Sequence, residues 1–230
     1  MEEVLEEIEL TILMPCLNEE KTIGTCIKKA KEFLKENNVK GEILIVDNGS
    51  TDSSATIAKN KGVRVLSVEK KGYGVALING SKQAKGKYTI MGDCDDSYNF
   101  LEIMPILKLL REGNDLVMGN RYKGKMEKGS MKLLHKFLGT PFISTLARKR
   151  YKVTVGDFNC GLRGYDTKKI NNLNCSCNGM EYATEMIIKA QKANLKIVEV
   201  GINFYKDGRN RKSHLEPLRD GIRHLKIILK

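Results

Sequence analysis

Three aspartates, Asp93, Asp95 and Asp96, occupy four positions in the segment IMGDCDDSYNF, directly after a β-branched and apolar run. Carboxylates this close repel one another, so the cluster costs stability unless a cation lies among them. The spacing Asp93-x-Asp95 at the end of a strand suits a hard divalent cation, and Mg²⁺ prefers one or two carboxylates completed by substrate phosphates. The cluster therefore predicts a metal and diphosphate site, although a solvated acidic turn would match the same pattern.

Apolar strands that alternate with helices surround this cluster. An apolar stripe at Ile23, Ile27, Ala30 and Leu34 predicts an amphipathic helix over about 19–37. The alternation is typical of an α/β fold with a mostly parallel sheet that helices cover on both faces. The predicted strands are 9–15, 42–47, 63–68, 88–93, 114–121 and, later in the chain, 195–205.

Polar side chains follow five of these strands. Ligands of such sheets bind beyond the carboxyl ends of the strands, so these residues predict one site at one edge. They are Asn18 and Glu19, then Asp47, Asn48, Gly49 and Ser50, then Lys70, Lys71 and Gly72, then the aspartates, then Asn120 and Arg121.

The net charge of +12 is concentrated in the second half of the 230-residue chain. Residues 121–152 hold ten basic side chains and one acid, and residues 203–230 hold eight against three. This implies a polyanionic partner, either nucleic acid, anionic lipid or a phosphorylated ligand. Nucleic acid is disfavoured, since aromatic content is only 6% and no helix-turn-helix or zinc module is present.

The spacing of the cysteines and the distribution of apolar residues limit the class of protein. Six cysteines fit no paired framework, which favours reduced thiols in the cytosol. No stretch approaches 18 consecutive apolar residues, and the first ten residues are acidic, so neither a transmembrane helix nor a secretory signal is predicted.

The segments TILMPCLNEEKTI, EILIVDNGSTDSS and MGDCDDSY, in this order, resemble glycosyltransferase family 2. The segments VMGNRYKG, DFNCGLRGY, GMEYATEMIIKA and YKDGRNRKSHL resemble its polyprenyl- or dolichyl-phosphate sugar synthase branch. The resemblance covers about residues 9–225 and implies a GT-A (Rossmann-like) fold in a single domain, 1–230. Residues 9–122 would form a nucleotide-sugar donor half. Residues 123–230 would form an acceptor half with amphipathic, basic, membrane-facing helices.

The resemblance also implies roles for the residues at the sheet edge. Asp93 and Asp95 would bracket Mg²⁺ or Mn²⁺ and the diphosphate, with Asp95 as the direct ligand. Asp96 is either a helix N-terminal charge or cap or a metal or sugar contact. The nucleotide-sugar site would comprise Pro15, Asn18, Glu19, Asp47, Lys71 and Asp93.

Basic residues are the predicted acceptor and phosphate contacts. An arginine fork suits phosphate oxygens. The alternatives are a surface salt bridge for Arg121, a packing role for Arg163, and a solvated turn for the other three. The predicted set is Arg121, Arg163, Arg209, Arg211 and Lys212.

The implied reaction is an inverting displacement at the anomeric carbon, with Asp95, Arg121 and Glu181 as the catalytic residues. A lipid-phosphate acceptor is already anionic and needs positioning more than a base. A hydroxyl acceptor needs a carboxylate, and Glu181 or Glu185 is the candidate, with Asp157 as another nearby acid.

The preferred donor is UDP-glucose, followed by GDP-mannose, since Asp47 could accept from the imide of either base. Residues 123–152 predict amphipathic helices, broken near Gly139–Pro141, that would hold the enzyme at the cytoplasmic face of an anionic membrane. Alternatively, their apolar residues pack on the core. The competing functions are a soluble family 2 transferase with a glycan, peptide or small-molecule hydroxyl acceptor, and a nucleotide-sugar-binding regulator without activity.

Overall fold

A computed structural model of the protein describes residues 7–131, 139–209 and 217–230. In these residues, seven strands form one sheet in the order β3-β2-β1-β4-β6-β5-β7. Only β6 runs antiparallel to its neighbours. The strands are β1 Leu10–Cys16, β2 Gly41–Asp47, β3 Arg64–Ser67, β4 Tyr88–Met91, β5 Leu116–Asn120, β6 Arg163–Asp166 and β7 Ile197–Gly201.

Helices cover both faces of this sheet. Within the described ranges they are α1 Ile23–Glu36, α2 Ser54–Asn60, α3 Tyr73–Gln83, α4 Met104–Arg111, α5 Thr140–Tyr151, α6 Thr167–Asn172, α7 Tyr182–Lys192 and α8 Pro217–Leu229, with a 3₁₀ turn at Phe100–Glu102. The predicted α/β class with a mostly parallel sheet is confirmed.

The central strands are apolar on both faces because each face is buried against helices. In β1, Ile12 packs into the core layer under α1 and α4, whereas its neighbour Leu13 packs into the layer under α3 and α7. Such near-continuous apolar runs are typical of parallel strands buried on both sides. This packing fixes which edge receives the loops after β1, β2 and β4.

The antiparallel strand β6 was not predicted, because its four residues, RGYD, carry no apolar run. It lies between β4 and β5, with Arg163 opposite Met91 and Met118. Since β6 runs in reverse, the residues that precede it reach the edge where β4 and β5 end. The segment 156–162 therefore joins the site from the opposite chain direction.

The second half contains α5, which begins at Thr140, within the predicted break near Gly139–Pro141. In α5, Ile143 and Ala147 pack on the core, whereas Phe142 is exposed. Residues 132–138, which belong to the segment predicted to form amphipathic helices, lie outside the described residues. No helix in the described ranges is long and apolar enough to cross a bilayer.

Candidate active site

The loops that follow β1 and β2 are hydrogen-bonded to each other at the carboxyl edge of the sheet. The backbone N–H of Asn18 donates to Ser50 Oγ at 2.9 Å, and Asn18 Oδ1 accepts from the backbone N–H of Thr51 at 2.7 Å. Asn18 has a φ of 57°, a left-handed conformation that asparagine adopts more readily than most residues. The predicted residue Asn18 therefore shapes this junction.

Two buried carboxylates, Asp47 and Glu19, lie in the same junction. Asp47 Oδ1 accepts from the backbone N–H of Ser50 at 3.3 Å, and the backbone N–H of Glu19 donates to Ser54 Oγ at 2.7 Å. Pro15 is at the end of β1, and its carbonyl accepts from Cys94 Sγ at 3.1 Å. The structure thus brings these three predicted nucleotide-site residues to one edge.

Asn48 connects the end of β2 to the loop that carries Lys71. Its Nδ2 donates to the carbonyls of Val68 and Lys70 at 3.0 and 2.9 Å, and its Oδ1 accepts from the backbone N–H of Gly72 at 2.7 Å. The sequence placed Asn48 at the edge but gave it no role. Its buried amide holds the loop between β3 and α3 in place.

The start of α3 lies directly against residues 177–179, and glycine permits this approach. A Cβ on Gly72 would lie 2.3 Å from the carbonyl oxygen of Asn178, and one on Gly74 would lie 2.1 Å from that of Cys177. Between the two glycines, Tyr73 donates its hydroxyl to Asp93 Oδ1 at 3.0 Å. Sequence reasoning missed Tyr73; its position in KGYG, directly after a strand and at a helix start, was the available signal.

The aspartates of the loop after β4 differ in their surroundings. Asp95 is buried; its Oδ1 accepts from the backbone N–H and hydroxyl of Ser97 at 3.0 and 2.6 Å. Its Oδ2 pairs with Arg209 Nη2 at 2.7 Å. Burial, followed by the negative charge of Asp95, raises the pKa of Asp93 to about 6. The expected repulsion between these carboxylates is therefore present.

Asp96 does not cap the helical segment that follows it, and its predicted metal or sugar contact stays a prediction. It forms an ion pair with Lys29 of α1 at 2.7 Å, at a φ of 66°. The cap of the following 3₁₀ turn is Asn99, whose side chain accepts from the backbone N–H of Leu101 at 3.2 Å. The cap prediction for Asp96 is wrong, and its charge is paired with a lysine on the helix side.

Arg209 lies among carboxylates at the mouth of the site. Besides Asp95, it pairs with Glu19 Oε1 at 3.4 Å and with Asp207 Oδ1 at 3.3 Å. Two backbone hydrogen bonds hold its segment to the aspartate loop: Gly208 N–H to the Asp95 carbonyl at 2.9 Å, and Tyr205 N–H to the Ser97 carbonyl at 3.0 Å. Arg211 and Lys212 lie outside the described residues.

Arg121 is buried instead of forming the surface salt bridge considered as its alternative. Its Nε and Nη2 donate to the two oxygens of Asp157 at 2.7 and 2.8 Å, and its guanidinium lies 5.2 Å from the ring centre of Phe204. Asp157 belongs to the segment that precedes β6. The acceptor role of Arg121 stays a prediction, with two of its nitrogens committed to Asp157.

Arg163 lies fully buried beneath the site, and this position contradicts its predicted role as a phosphate contact. Its side chain is 0% exposed. It donates to the carbonyl oxygens of Cys160 at 2.6 Å and Ala183 at 3.0 Å. The reversed strand β6 directs this guanidinium towards α7, where it joins backbone segments beneath the site. The packing alternative is the correct one.

The two candidate bases have different environments. Glu185 accepts from the backbone N–H groups of Ser176 and Cys177 at 3.0 and 2.8 Å, and Lys189 pairs with it at 3.0 Å. Although burial opposes its charge, these donors hold the pKa of Glu185 below its ordinary value. It is therefore a structural anchor, and the prediction of Glu185 as a base is wrong.

Glu181 is the better-placed of the two candidate bases. It precedes α7, in the loop that packs against Gly72 and Gly74, and its Oε1 accepts from the backbone N–H of Gly179 at 3.2 Å. Its buried Oε2 has no hydrogen-bond partner in the described structure and lies 3.9 Å from Arg223 Nη1.

The donor set at the aspartates fits a hard divalent cation that shares its shell with a ligand. Among the described residues, no three His, Cys, Asp or Glu side chains converge as a complete metal site. Asp93 and Asp95 offer carboxylate oxygens, and the guanidinium on Asp95 shows that this position attracts positive charge. Mg²⁺ accepts such an arrangement when phosphates and water supply its other ligands.

The family model for glycosyl transferase family 2 matches residues 11–173. The chain belongs to this family. The predicted family is therefore confirmed, and two curated relatives from Haloferax volcanii agree with it.

The first family 2 relative is the low-salt glycan biosynthesis hexosyltransferase Agl6, 35% identical over 221 residues. That match covers 96% of this chain and 53% of the relative, so the chain spans about half the length of Agl6. The second is a dolichyl-phosphate hexose transferase, 28% identical over 222 residues, which cover 96% of this chain and 93% of the relative. It agrees with the predicted lipid-phosphate branch.

A solved structure of the same fold is that of glucosyl-3-phosphoglycerate synthase from Mycobacterium tuberculosis with Mn²⁺, uridine diphosphate and phosphoglyceric acid. The TM-score is 0.72 at 21% identity, and the match covers 96% of this chain and 76% of that one. Another structure of that synthase contains Mg²⁺ and uridine diphosphate, with a TM-score of 0.73 at 20% identity, over 96% of this chain and 78% of that one. These likenesses confirm the predicted GT-A-like fold of this family 2 chain.

Proposed function

We propose that this family 2 protein is an inverting, metal-dependent hexosyltransferase that moves a hexose from a nucleotide-diphosphate sugar to a polyprenyl or dolichyl phosphate. One observation carries the proposal: the paired carboxylates Asp93 and Asp95 lie at the same sheet edge as the loops of Asn18 and Asp47. A nucleotide in those loops would extend its diphosphate towards the aspartates. The named activities of the two Haloferax relatives support the same class of reaction.

The proposed cofactor is Mg²⁺ or Mn²⁺, held by Asp93 and Asp95. When bound, it would stabilise the charge of the departing nucleoside diphosphate. Tyr73 would fix the orientation of Asp93 through the 3.0 Å hydrogen bond, and Ser97 would fix that of Asp95. The synthase complexes with divalent ions and uridine diphosphate support this choice of cofactor.

The proposed donor pocket comprises the loops after β1, β2 and β3. Asp47 would accept from the imide N–H of the base, and Glu19 and Asn18 would line the ribose side. Pro15 closes the end of β1, and Lys71 extends beside Gly49 from the loop that Asn48 holds. UDP-glucose is the preferred donor and GDP-mannose the next, since both bases carry the imide.

The proposed reaction is a single displacement. An acceptor phosphate oxygen forms a bond to the anomeric carbon while the bond from that carbon to the diphosphate oxygen breaks, so the configuration inverts. The acceptor oxygen is anionic at neutral pH, so no residue has to remove a proton. Arg209 would supply the positive charge near the phosphates, together with Arg211 and Lys212 of the adjoining segment. Arg121, which keeps its pair with Asp157, would contribute only the N–H groups that Asp157 does not accept.

The proposed acceptor half, residues 123–230, would face an anionic membrane. Helices α5 and α8 contact each other, since Tyr151 donates its hydroxyl to the Ile228 carbonyl at 3.0 Å. Apolar and basic side chains together suit the interface of an anionic bilayer, as proposed for the cytoplasmic face. The exposed apolar side chains of these two helices are Phe142, Ile222 and Leu229, and the exposed basic ones are Arg148, Lys149, Arg150, Arg219, Lys226 and Lys230.

One observation favours a second candidate function, transfer to a hydroxyl acceptor. Glu181 Oε2 has no hydrogen-bond partner among the described residues, so this carboxylate could take a proton from an alcohol. The two functions differ in whether Glu181 is needed for the chemical step.

The deciding experiment supplies Mg²⁺ and a panel of UDP- and GDP-sugars with either a polyprenyl phosphate or hydroxyl acceptors, and identifies the nucleoside diphosphate released. We expect release only with the polyprenyl phosphate, and near-normal turnover by Glu181→Gln. Turnover with hydroxyl acceptors alone, lost in Glu181→Gln, would establish the second function instead. Flotation with anionic and neutral liposomes tests the membrane surface, and we expect association with the anionic liposomes only.

A further inference from the structure

We propose that Arg209 holds the place of the divalent cation on Asp95 in the ligand-free enzyme, and that it exchanges Asp95 for the donor diphosphate when metal and donor bind. This inference rests on the proposed function, because it needs the metal that Asp93 and Asp95 would share. It makes metal binding dependent on the nucleotide.

Only one carboxylate oxygen of Asp95 is available to a cation. Its Oδ1 already accepts two hydrogen bonds from Ser97, so Oδ2 is the oxygen left for a cation. Arg209 Nη2 lies 2.7 Å from that oxygen. A metal on Oδ2 and the guanidinium in its present position would therefore compete for one atom.

Arg209 compensates the negative charge of two buried carboxylates. The side chains of Glu19 and Asp95 are only 8% and 9% exposed, and Arg209, at 15%, contacts both. Buried carboxylates without a cationic partner are costly, so the ligand-free site is stabilised by this guanidinium. A divalent ion brought beside it would add repulsion between cations unless further negative charge arrived with the ion.

The donor diphosphate offers Arg209 a new partner when it leaves Asp95. A nucleoside diphosphate brings the missing negative charge to the aspartates, and a guanidinium binds phosphate oxygens through two parallel hydrogen bonds. The backbone of the segment stays attached to the aspartate loop through Gly208 N–H and the Asp95 carbonyl. Rotation of the long side chain is then sufficient for the exchange.

The consequence is a measurable coupling between metal and nucleotide. In the wild type, Mn²⁺ alone must displace Arg209 from Asp95 while no new anion is present to bind the guanidinium. When UDP or GDP binds together with Mn²⁺, the phosphates provide that anion. Removal of the guanidinium should strengthen the binding of Mn²⁺ alone and weaken the binding of the nucleotide. Coupling of this kind is ordinarily worth about 5- to 150-fold in affinity.

The test measures Mn²⁺ affinity by the loss of the free-ion electron paramagnetic resonance signal, with and without UDP or GDP. Arg209→Met keeps the unbranched stem and removes the charge, and Arg209→Ala is the second variant. Lys206→Ala is the matched control, because it removes one exposed positive charge from the same segment while its side chain makes no ion pair with Glu19 or Asp95 among the described contacts. Thermal unfolding checks that each variant is folded.

We expect both Arg209 variants to bind Mn²⁺ alone about tenfold more tightly than the wild type and to lose most of the gain from nucleotide. Lys206→Ala should change the affinity less than about twofold, since an exposed charge is screened. Unchanged Mn²⁺ affinity in the Arg209 variants, or an equal gain in Lys206→Ala, would overturn the exchange and leave the proposed function intact. If wild type and variants all fail to bind Mn²⁺ even with UDP or GDP, both proposals are wrong.

Discussion

Arg121 and Arg209 both pair with a buried aspartate, but they belong to two differently balanced regions of the molecule. Beneath the site, Arg121 meets Asp157 through two parallel hydrogen bonds, and the two side chains are 9% and 0% exposed. At the mouth, one guanidinium is shared among Asp95, Glu19 and Asp207 at 2.7 to 3.4 Å. One region matches charges one to one, and the other has more acids than bases.

This difference indicates what each region can do. A fully matched buried pair has no reason to open, because either partner alone would be an uncompensated charge. In a region with surplus carboxylates the guanidinium can move to a new anion, because a cation that binds in its place compensates the carboxylates that it leaves. The following predictions test this distinction between a structural pair and an exchangeable one.

The largest expected effect is on turnover in Asp95→Asn. Loss of one metal-binding carboxylate should lower kcat by about 10³-fold or more while the fold is retained, since metal stabilisation of the leaving group contributes several kcal/mol. Sugar transfer and the unfolding midpoint are measured together. Asp96→Asn is the matched control, and we expect it to keep most of the activity because Asp96 pairs with Lys29. Equal turnover in Asp95→Asn and wild type would remove the metal role of Asp95.

A large effect on stability is expected in Asp157→Asn. This change leaves Arg121 buried beside a neutral amide, and breaking such a pair costs about 3–5 kcal/mol in the free energy of unfolding. Urea denaturation measures it. By contrast, Asp95→Asn should cost less than half as much, since Arg209 retains Glu19 and Asp207. Comparable losses in the two variants would contradict the distinction between the regions.

Asp93→Asn is expected to stabilise the protein while it lowers activity. The ordinary carboxyl pKa of 3.8 is raised to about 6 in the folded state, so between these values the folded protein holds a proton that the unfolded chain releases. The unfolding free energy from this group therefore falls as the pH rises from about 4 to 6 and is constant above. The variant lacks this loss and should be more stable than wild type at pH 7 by up to about 3 kcal/mol.

Denaturation at several pH values checks the direction of this pH dependence of the unfolding free energy. The stability difference between Asp93→Asn and wild type should grow from pH 4 to pH 6 and then level off. A difference that is independent of pH would mean that Asp93 titrates normally, and the surplus of negative charge at the mouth would then be smaller than we infer.

The smallest expected effect is that of Tyr73→Phe. It removes the hydroxyl that orients Asp93, which should weaken Mn²⁺ binding in the presence of nucleotide several-fold and change stability by about 1 kcal/mol. Tyr151→Phe is the control, because it removes a hydroxyl of similar geometry between α5 and α8, away from the site. Equal Mn²⁺ affinity in the two variants would limit Tyr73 to a packing role.

The meeting of the loops after β1, β2 and β4 could be predicted from the sequence because parallel strands place their loops at a common edge. Apolar runs located β1, β2 and β4, and the polar residues directly after them, Asn18, Asp47 and Asp93, reach that edge. At this edge the local sequence pattern and the position in the fold agree, so the spacing of strands and polar residues was sufficient to predict which residues meet.

The rest depends on contacts between distant segments that spacing does not encode. The predicted phosphate role of Arg163 rests on the fit between an arginine fork and phosphate oxygens, but in the structure the carbonyl oxygens of Cys160 and Ala183 accept from it and compensate its burial. Glu185 looked like a base until the backbone of Ser176 and Cys177 was found to bind it. In both cases backbone groups, which no sequence pattern displays, decide the role.

The insertion of β6 between β4 and β5 has a consequence for how the chain matures on the ribosome. By the time β5 has emerged, β4 can pair with β1 alone, because β6, the partner of its other side, begins more than 40 residues after the end of β5. Until Arg163–Asp166 emerges, the nascent protein exposes an open strand edge, which favours wrong intermolecular pairing. Late closure by one short reversed strand joins the two halves of the sheet and makes the aspartate loop and the segment beneath it form together.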